Sequence, residues 1–112
     1  MAVIGWSHIA RKQLLEIYSY YSTNASERTA NFFWNIIEKE TNILRQFPSI
    51  GKVDETFSTD EITYRFVIVS FGQQTFKMYY VIQKDVCVIQ ALRNCKQNNL
   101  TFALINSPIK AD

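Results

Sequence analysis

Residues 62–92 read ITYRFVIVSFGQQTFKMYYVIQKDVCVIQAL, and the predicted class of fold follows from them. β-Branched and aromatic side chains dominate it, which predicts strands at 62–71, 76–82 and 86–92. The turns between these strands are short, so the three strands must form an antiparallel meander. Apolar residues lie on both faces of the predicted sheet. One face therefore packs against the rest of the chain, and the other is either covered or a binding surface.

Two amphipathic helices are predicted before the strands. Ser7 supplies an N-cap for the first helix, which ends near Ser22. Its apolar side chains recur at helical spacing, at Ala10, Leu14, Ile17, Tyr18 and Tyr21. The apolar side chains of the second helix are Ala30, Phe33, Trp34, Ile37, Thr41, Leu44 and Phe47. That helix ends before Pro48, because proline lacks a backbone donor and restricts the residue before it.

A polar break at residues 23–26 separates the two helices. Asn24 and Glu27 have the spacing of a capping box, and Ser26 is the other candidate cap for the second helix. The break is so short that the helices must form an antiparallel hairpin. Neither helix can bury its apolar stripe alone, so we expect the hairpin to lie on one face of the sheet.

The remaining segments complete an α+β fold. Residues 3–6 are predicted to form a short N-terminal strand, and residues 51–61 to be irregular with a short strand near 53–57. We expect one domain over residues 1–112, with residues 100–112 as a C-terminal extension. This extension is unexpectedly apolar, so it is expected to cover the second sheet face or pair at an edge. A dimer or partner interface is the alternative.

The composition excludes several classes of protein. A hydrophobic content of 47%, with 14% aromatic residues, excludes intrinsic disorder. No apolar run approaches the roughly 20 residues of a membrane span, and the N-terminus lacks the features of a secretory signal, so we expect a cytoplasmic protein. No cofactor or metal is indicated, because Cys87 and Cys95 have no histidine nearby. Cys87 is interpreted as a small apolar strand residue and Cys95 as an exposed thiol.

Positive charge is concentrated in the second half of the chain. Residues 1–61 carry six basic and eight acidic side chains, a net charge of −2, whereas residues 62–112 carry six basic and two acidic ones, a net of +4. The strand-rich half is thus suited to an anionic partner, either a nucleic acid or an acidic peptide. A solvated surface with scattered lysines is the alternative. For Arg65, a structural ion pair with Glu61 or Asp60 is the alternative to a partner contact.

Several short motifs, in this order, carry a resemblance to a known superfamily. They are the strand-to-cap step Trp6-Ser7, the sequence from Leu44 through Phe47-Pro48 to Gly51, and a strand arginine at Arg65. Residues 93–99, RNCKQNN, are similar to a basic end-of-sheet segment, with Asn94, Lys96 and Asn99 where aspartate, arginine and proline are often found. Over about residues 3–99 the chain resembles the RelE/ParE superfamily of type II toxins. Its long hairpin resembles the ParE branch, which includes plasmid stabilisation proteins.

The resemblance implies a fold, a class of activity and partners. The implied fold is a short N-terminal strand, an antiparallel helical hairpin and a twisted antiparallel sheet. RelE-like members cut mRNA in the ribosome, whereas ParE-like members poison DNA gyrase. A cognate antitoxin, which wraps an acidic or amphipathic segment around the toxin, is the implied partner in both branches. A homodimer is left open, and so is a degenerate, non-toxic interaction module.

Four cations and one aromatic residue are the candidate site residues: Arg65, Lys77, Arg93, Lys96 and Tyr79. Cleavage of mRNA requires an acid–base pair beside several cations. His8 is expected to be a surface residue at a helix start. Tyr79 and Tyr80 alternate across the sheet, so one of them faces away from the hairpin. Without an evident acid–base pair, the sequence favours a ParE-like binding toxin whose four cations contact the target or antitoxin. A ribosome-dependent mRNA endonuclease, which would use these residues catalytically, is the alternative.

Overall fold

A computed structural model of the protein describes residues 2–96 and has the expected α+β architecture. Two helices lie on one face of a five-stranded, mostly antiparallel sheet, and a single 3-10 turn follows them. The elements are β1 (Val3–Trp6), α1 (His8–Asn24), α2 (Glu27–Gln46), the 3-10 turn (Pro48–Ile50), β2 (Lys52–Val53), β3 (Arg65–Phe71), β4 (Gln74–Gln83) and β5 (Val86–Asn94). The prediction for the C-terminal extension lies outside the described residues.

Side-chain caps define where the two helices begin. Ser7 Oγ accepts the N–H of Ala10 at 3.1 Å, as predicted for α1. Ser26 Oγ accepts the N–H of Thr29 at 3.0 Å, so Ser26 caps α2. The capping-box role considered for Asn24 is wrong: α1 continues through Asn24, whose Nδ2 donates back to Tyr20 O at 2.9 Å.

The main core lies between the helical hairpin and the sheet. The predicted stripes of both helices supply its helical side, and the buried members are Ala10, Leu14, Ala30, Phe33, Ile37, Thr41 and Leu44. The large side chains Phe76, Met78 and Tyr80 cover it from β4. Full burial of each large apolar side chain contributes about 1.5–3 kcal/mol. This core therefore fixes the hairpin on one sheet face and leaves the opposite face, here called the distal face, to the rest of the molecule.

The sheet order is β1-β5-β4-β3-β2. The antiparallel meander of β3, β4 and β5 is as predicted. Each of its hairpins has a two-residue turn that begins with a left-handed residue, Gly72 at φ 58° and Lys84 at φ 56°. β1, however, is parallel to β5. The N–H of Ser7 donates to Ile89 O at 2.9 Å, so the pairing with β5 continues to Ser7. Ser7 is also the N-cap of α1, and the helix therefore begins directly after the strand.

The segment between β2 and β3 departs from the prediction. β2 contains only two residues, and β3 begins at Arg65 rather than at Ile62. Residues 54–64 instead fold over the distal face, where Phe57, Ile62 and Tyr64 form a second apolar cluster with Tyr79. Apolar side chains that suggested a longer strand are thus used to cover the sheet.

A β-bulge interrupts β5. Tyr79 is paired with Ala91 and Tyr80 with Ile89, which leaves Gln90 as the extra residue. Gln90 is buried, its backbone oxygen accepts Ser7 Oγ at 3.3 Å, and its Nε2 has no hydrogen-bond partner within residues 2–96. After the bulge, odd- and even-numbered residues of β5 exchange faces. Ile89 therefore points towards the hairpin, whereas Ala91 and Arg93 point to the distal face.

Two further expectations can be compared with the structure. Cys87 is buried, Cys95 is exposed and both thiols are free, which confirms the two interpretations from the sequence. Neither helix within residues 2–96 is long and apolar enough to cross a membrane.

Candidate partner-binding face

Two of the predicted cations lie side by side on the distal face. Lys77 of β4 is paired with Arg93 of β5, and strand alternation places both on the same face as Tyr79. The Lys77 Nζ lies 4.6 Å from the centroid of the Phe66 ring, a cation–π contact that orients the ammonium group. Phe66, Lys77 and Arg93 are called the basic patch below. The patch combines two positive charges with an aromatic surface.

Lys96 lies just beyond the end of β5 and is exposed. Its backbone N–H donates to Asn94 Oδ1 at 2.9 Å. The Asn94 Nδ2 in turn donates to Gln74 Oε1 at 2.8 Å, which ties the end of β5 to the start of β4. Asn94 therefore has a structural role. Lys96 adds a third cation near the end of β5, three residues after Arg93.

Tyr79 lies on the distal face but is not available to a partner. It is 1% exposed, and its ring packs between those of Phe57 and Phe66, with centroid separations of 5.9 and 5.6 Å. Burial, followed by the charge and hydrogen bond of the Asp54 carboxylate, raises the pKa of Tyr79 to about 12. The neighbouring Cys95 adds to this increase and Arg93 opposes it. At neutral pH the hydroxyl therefore stays protonated.

Asp54 is the residue near this site that the sequence analysis missed. Its Oδ1 accepts the N–H groups of Thr56 and Phe57 at 3.0 and 3.1 Å, which forms a local turn. Its carboxylate also interacts with Tyr79. Asp54 thus holds residues 54–64 against the distal face. The turn pattern was visible in the sequence, but the contact with a distant strand was not.

Arg65 lies away from the other three cations. Strand alternation places it on the hairpin side of the sheet, where its Nη1 donates to Gly51 O at 2.9 Å and to Ser49 O at 3.4 Å. These carbonyl contacts, and not the ion pair with Glu61 or Asp60, are the interactions that the structure gives Arg65. The structure therefore brings Lys77 and Arg93 together and places Arg65 on the opposite face of the sheet.

Tyr80 completes a structural clamp around the 3-10 turn. Its hydroxyl donates to Pro48 O at 2.6 Å and accepts the N–H of Gly51 at 2.9 Å. A Cβ added at Gly51 would lie 2.5 Å from Tyr80 Oη, so only glycine fits without a shift. Burial raises the pKa of Tyr80, while the Gly51 N–H and the Arg65 charge partly oppose that increase. Pro48, Gly51, Arg65 and Tyr80 are called the Tyr80 clamp below.

His8 contributes nothing to the basic patch. It is the first residue of α1, is exposed, and lies beside Arg11 and Lys12 on the helical layer. This position agrees with the surface role expected from the sequence.

A cleft of about 650 Å³ opens on the hairpin side, at the end of the sheet that carries Arg93. It lies between α1 and the ends of β4 and β5, and it is lined by Gln13, Glu16, Ile17, Tyr20, Tyr21, Gln74, Phe76, Leu92, Arg93 and Asn94. Gln13 also fixes this wall, because its Oε1 accepts the N–H of Leu92 at 2.8 Å. The cleft thus combines apolar, aromatic and polar residues, and Arg93 borders it at the end of β5.

The fold matches that of a known toxin–antitoxin protein. A solved chain described as "Chromosomal ParDE TA system from P. aeruginosa" is similar with a TM-score of 0.62 and 16% sequence identity, over 84% of this chain and 96% of that chain. At this identity the likeness shows the fold alone.

A family comparison goes further. The model of the family described as "ParE toxin of type II toxin-antitoxin system, parDE" matches residues 4–99. The chain therefore belongs to the ParE toxin family of type II toxin–antitoxin systems, and the resemblance read from the sequence is confirmed. A comparison with curated protein sequences finds no match.

Proposed function

We propose that this chain is a toxin that acts in the cytoplasm and inhibits DNA gyrase by binding to it. Membership of the ParE toxin family supports the toxin role. The observation that carries the proposed mode of action is the basic patch, in which Lys77 lies over the Phe66 ring and is paired with Arg93. A surface of this kind suits recognition of an anionic or polar partner surface.

Burial argues against a catalytic role for the residues around the patch. General acid–base catalysis requires a group that can reach the proton it transfers. Tyr79 is buried and has its pKa raised, while Asp54 Oδ1 already accepts two backbone N–H groups. These contacts position residues 54–64 on the sheet, so Asp54 and Tyr79 both have a structural role. Binding by Lys77 and Arg93 requires no such group.

A cognate antitoxin is the proposed partner that neutralises the toxin. Arg93 borders the cleft and also belongs to the basic patch, so an acidic or amphipathic segment that lies in the cleft and continues around the end of β5 would reach the charge proposed to contact the target. Tyr20, which is 62% exposed, offers an aromatic contact on the opposite wall of that cleft. Neutralisation then follows from occupation of Arg93 and requires no change of fold.

Controlled induction in a bacterial host tests the proposed target. DNA and protein synthesis are pulse-labelled separately before growth falls. We expect early loss of DNA synthesis with DNA damage, and restored growth when the antitoxin is co-expressed. Early loss of translation with cleaved messages would instead support the mRNA endonuclease. No effect on growth, with folded protein present, would support a non-toxic interaction module.

A charge-matched pair of variants tests the proposed surface. The variant Lys77→Gln/Arg93→Gln removes both charges of the patch, whereas Arg28→Gln/Lys39→Gln removes two exposed charges from α2. We expect only the first to reduce gyrase binding, by about tenfold or more, because desolvated charged contacts contribute several times more than exposed ones. Circular dichroism verifies that both variants fold. Equal binding by the two variants would exclude the basic patch as the contact surface.

A further inference from the structure

The outer edge of β3 is largely open. β4 pairs with β3 along its whole length, from Arg65 to Phe71. On the other side, β2 pairs only with Arg65 and Phe66. Within residues 2–96, no further strand of the sheet lies beyond β3. Within this part of the chain, the backbone N–H and C=O groups that point outward from residues 67–71 therefore have no strand partner and can pair with another strand.

This edge lacks the features that usually protect edge strands. Natural proteins prevent edge pairing with charged side chains, prolines, bulges or very short strands. Residues 66–71 read FVIVSF, with no charge and no proline, and their pairing with β4 is regular. Ile68 is 49% exposed on this strand. The edge therefore favours association with another strand over isolation in water.

Exposed aromatic surface borders the same edge. Phe32 on α2 is 62% exposed, and its ring centroid lies 6.0 Å from that of Phe71 at the end of β3. Exposed apolar surface next to an open strand edge marks an interaction site more strongly than either feature alone. A partner strand at residues 67–71 would lie beside this ring and cover part of it.

We propose that this edge binds the same edge of a second copy of the chain, which forms an antiparallel, two-fold symmetric dimer with a continuous sheet. The open stretch is centred on Val69, so the two copies of Val69 lie opposite each other. Ile68 then lies opposite Ser70 of the second copy, and Val67 lies opposite its Phe71. An isologous contact of this kind is closed, because each copy has one such edge and uses it once.

Charge favours a second copy over an acidic antitoxin segment at this edge. The positive charges that would attract an acidic segment, Lys77 and Arg93, lie on the distal face of β4 and β5, inside the sheet. The open stretch of β3, residues 67–71, is uncharged, and an uncharged strand is its closest chemical match. The paired stretch is short, so the dimer should be weak and reversible.

Sedimentation of the full-length chain, free of antitoxin, tests the proposal. The variant Ile68→Glu/Ser70→Glu introduces carboxylates that lie opposite each other in the dimer, while Glu at position 68 faces Lys77 within its own chain. The control, Ile82→Glu/Gln83→Glu, makes the same change in charge at exposed positions of β4. We expect the edge variant to weaken dimerisation by about tenfold or more. The control should dimerise like the wild type, and circular dichroism verifies the folding of both variants.

Three results would overturn the proposal. A wild-type chain that remains monomeric at about 100 µM, where even a weak complex is populated, excludes the dimer. A dimer that the edge variant leaves intact uses another surface. A monomeric wild type whose edge variant loses antitoxin binding assigns the edge to the antitoxin. Toxicity is not a readout here, so the outcome is independent of the proposed function.

Discussion

Replacement of Gly51 by alanine should be among the most destabilising small changes in this protein. The new methyl group would lie 2.5 Å from Tyr80 Oη and 2.7 Å from Tyr80 Cε1. Tyr80 cannot move away freely, because it is 0% exposed and its hydroxyl is bonded to Pro48 O and to the Gly51 N–H. Relief of the clash therefore costs packing, hydrogen bonds or both.

The magnitude follows from these contacts. Overpacking in a core costs about 1–3 kcal/mol, and each lost hydrogen bond about 1 kcal/mol. We expect Gly51→Ala to lower the free energy of unfolding by about 3 kcal/mol. Gly72→Ala is the matched control: nothing lies within 4 Å of its Cβ, but its φ of 58° is left-handed. We expect that control to cost only about 1 kcal/mol.

Urea unfolding followed by tryptophan fluorescence measures both variants and also a double-mutant cycle. Tyr80→Phe alone should cost about 2 kcal/mol, because it leaves two backbone groups without a partner. Gly51→Ala and Tyr80→Phe remove the same hydrogen bonds, so the double variant should be about 2 kcal/mol more stable than the sum of the single changes predicts. Additivity to within about 0.5 kcal/mol would refute the clamp as the reason for glycine at this position.

Three further changes address separate parts of the molecule. The raised pKa of Tyr79 gives stability that is fully present below pH 10 and is lost as the pH rises towards 12. As the pH rises from 10 to 12, the free energy of unfolding of Tyr79→Phe should fall by up to about 3 kcal/mol less than that of the wild type, measured by urea unfolding. Arg65→Gln should lower thermal stability by about 1 kcal/mol through its lost carbonyl contacts and leave gyrase binding unchanged; an unchanged melting temperature would contradict the clamp role. Ser26→Ala should cost about 1 kcal/mol in urea unfolding, and Asn24→Ala clearly less, because only Ser26 caps α2; equal costs would contradict that assignment.

Features specified by nearby residues could be predicted from the sequence. The N-cap at Ser7, the end of α2 before Pro48 and the meander of β3, β4 and β5 depend on side chains within a few positions of each element. The alternation that placed one of the two adjacent tyrosines on each face also depends only on strand geometry. The structure places Tyr79 on the distal face and Tyr80 in the main core.

Features that depend on distant contacts could not be predicted in this way. The parallel pairing of β1 depends on which edge of the sheet is available after the other strands have formed. Asp54 is linked to Tyr79 only because residues 54–64 fold over the distal face. Arg65 was grouped with Lys77 and Arg93 by charge alone, whereas the register between β3 and β4 aligns it with Tyr80. Charge identifies candidate residues, but register decides which of them meet.

The bulge at Gln90 also affects how this chain should be aligned with its relatives. Because one extra residue is inserted between Ile89 and Ala91, Arg93 lies on the distal face; in an uninterrupted β5 it would point into the hairpin. A relative with a regular strand should therefore carry its equivalent cation one position closer to the residue that matches Ile89. An ungapped alignment across β5 would pair such a cation with a core residue, and the shared site would be overlooked. Structural superposition, with a one-residue gap at Gln90, would recover the correspondence.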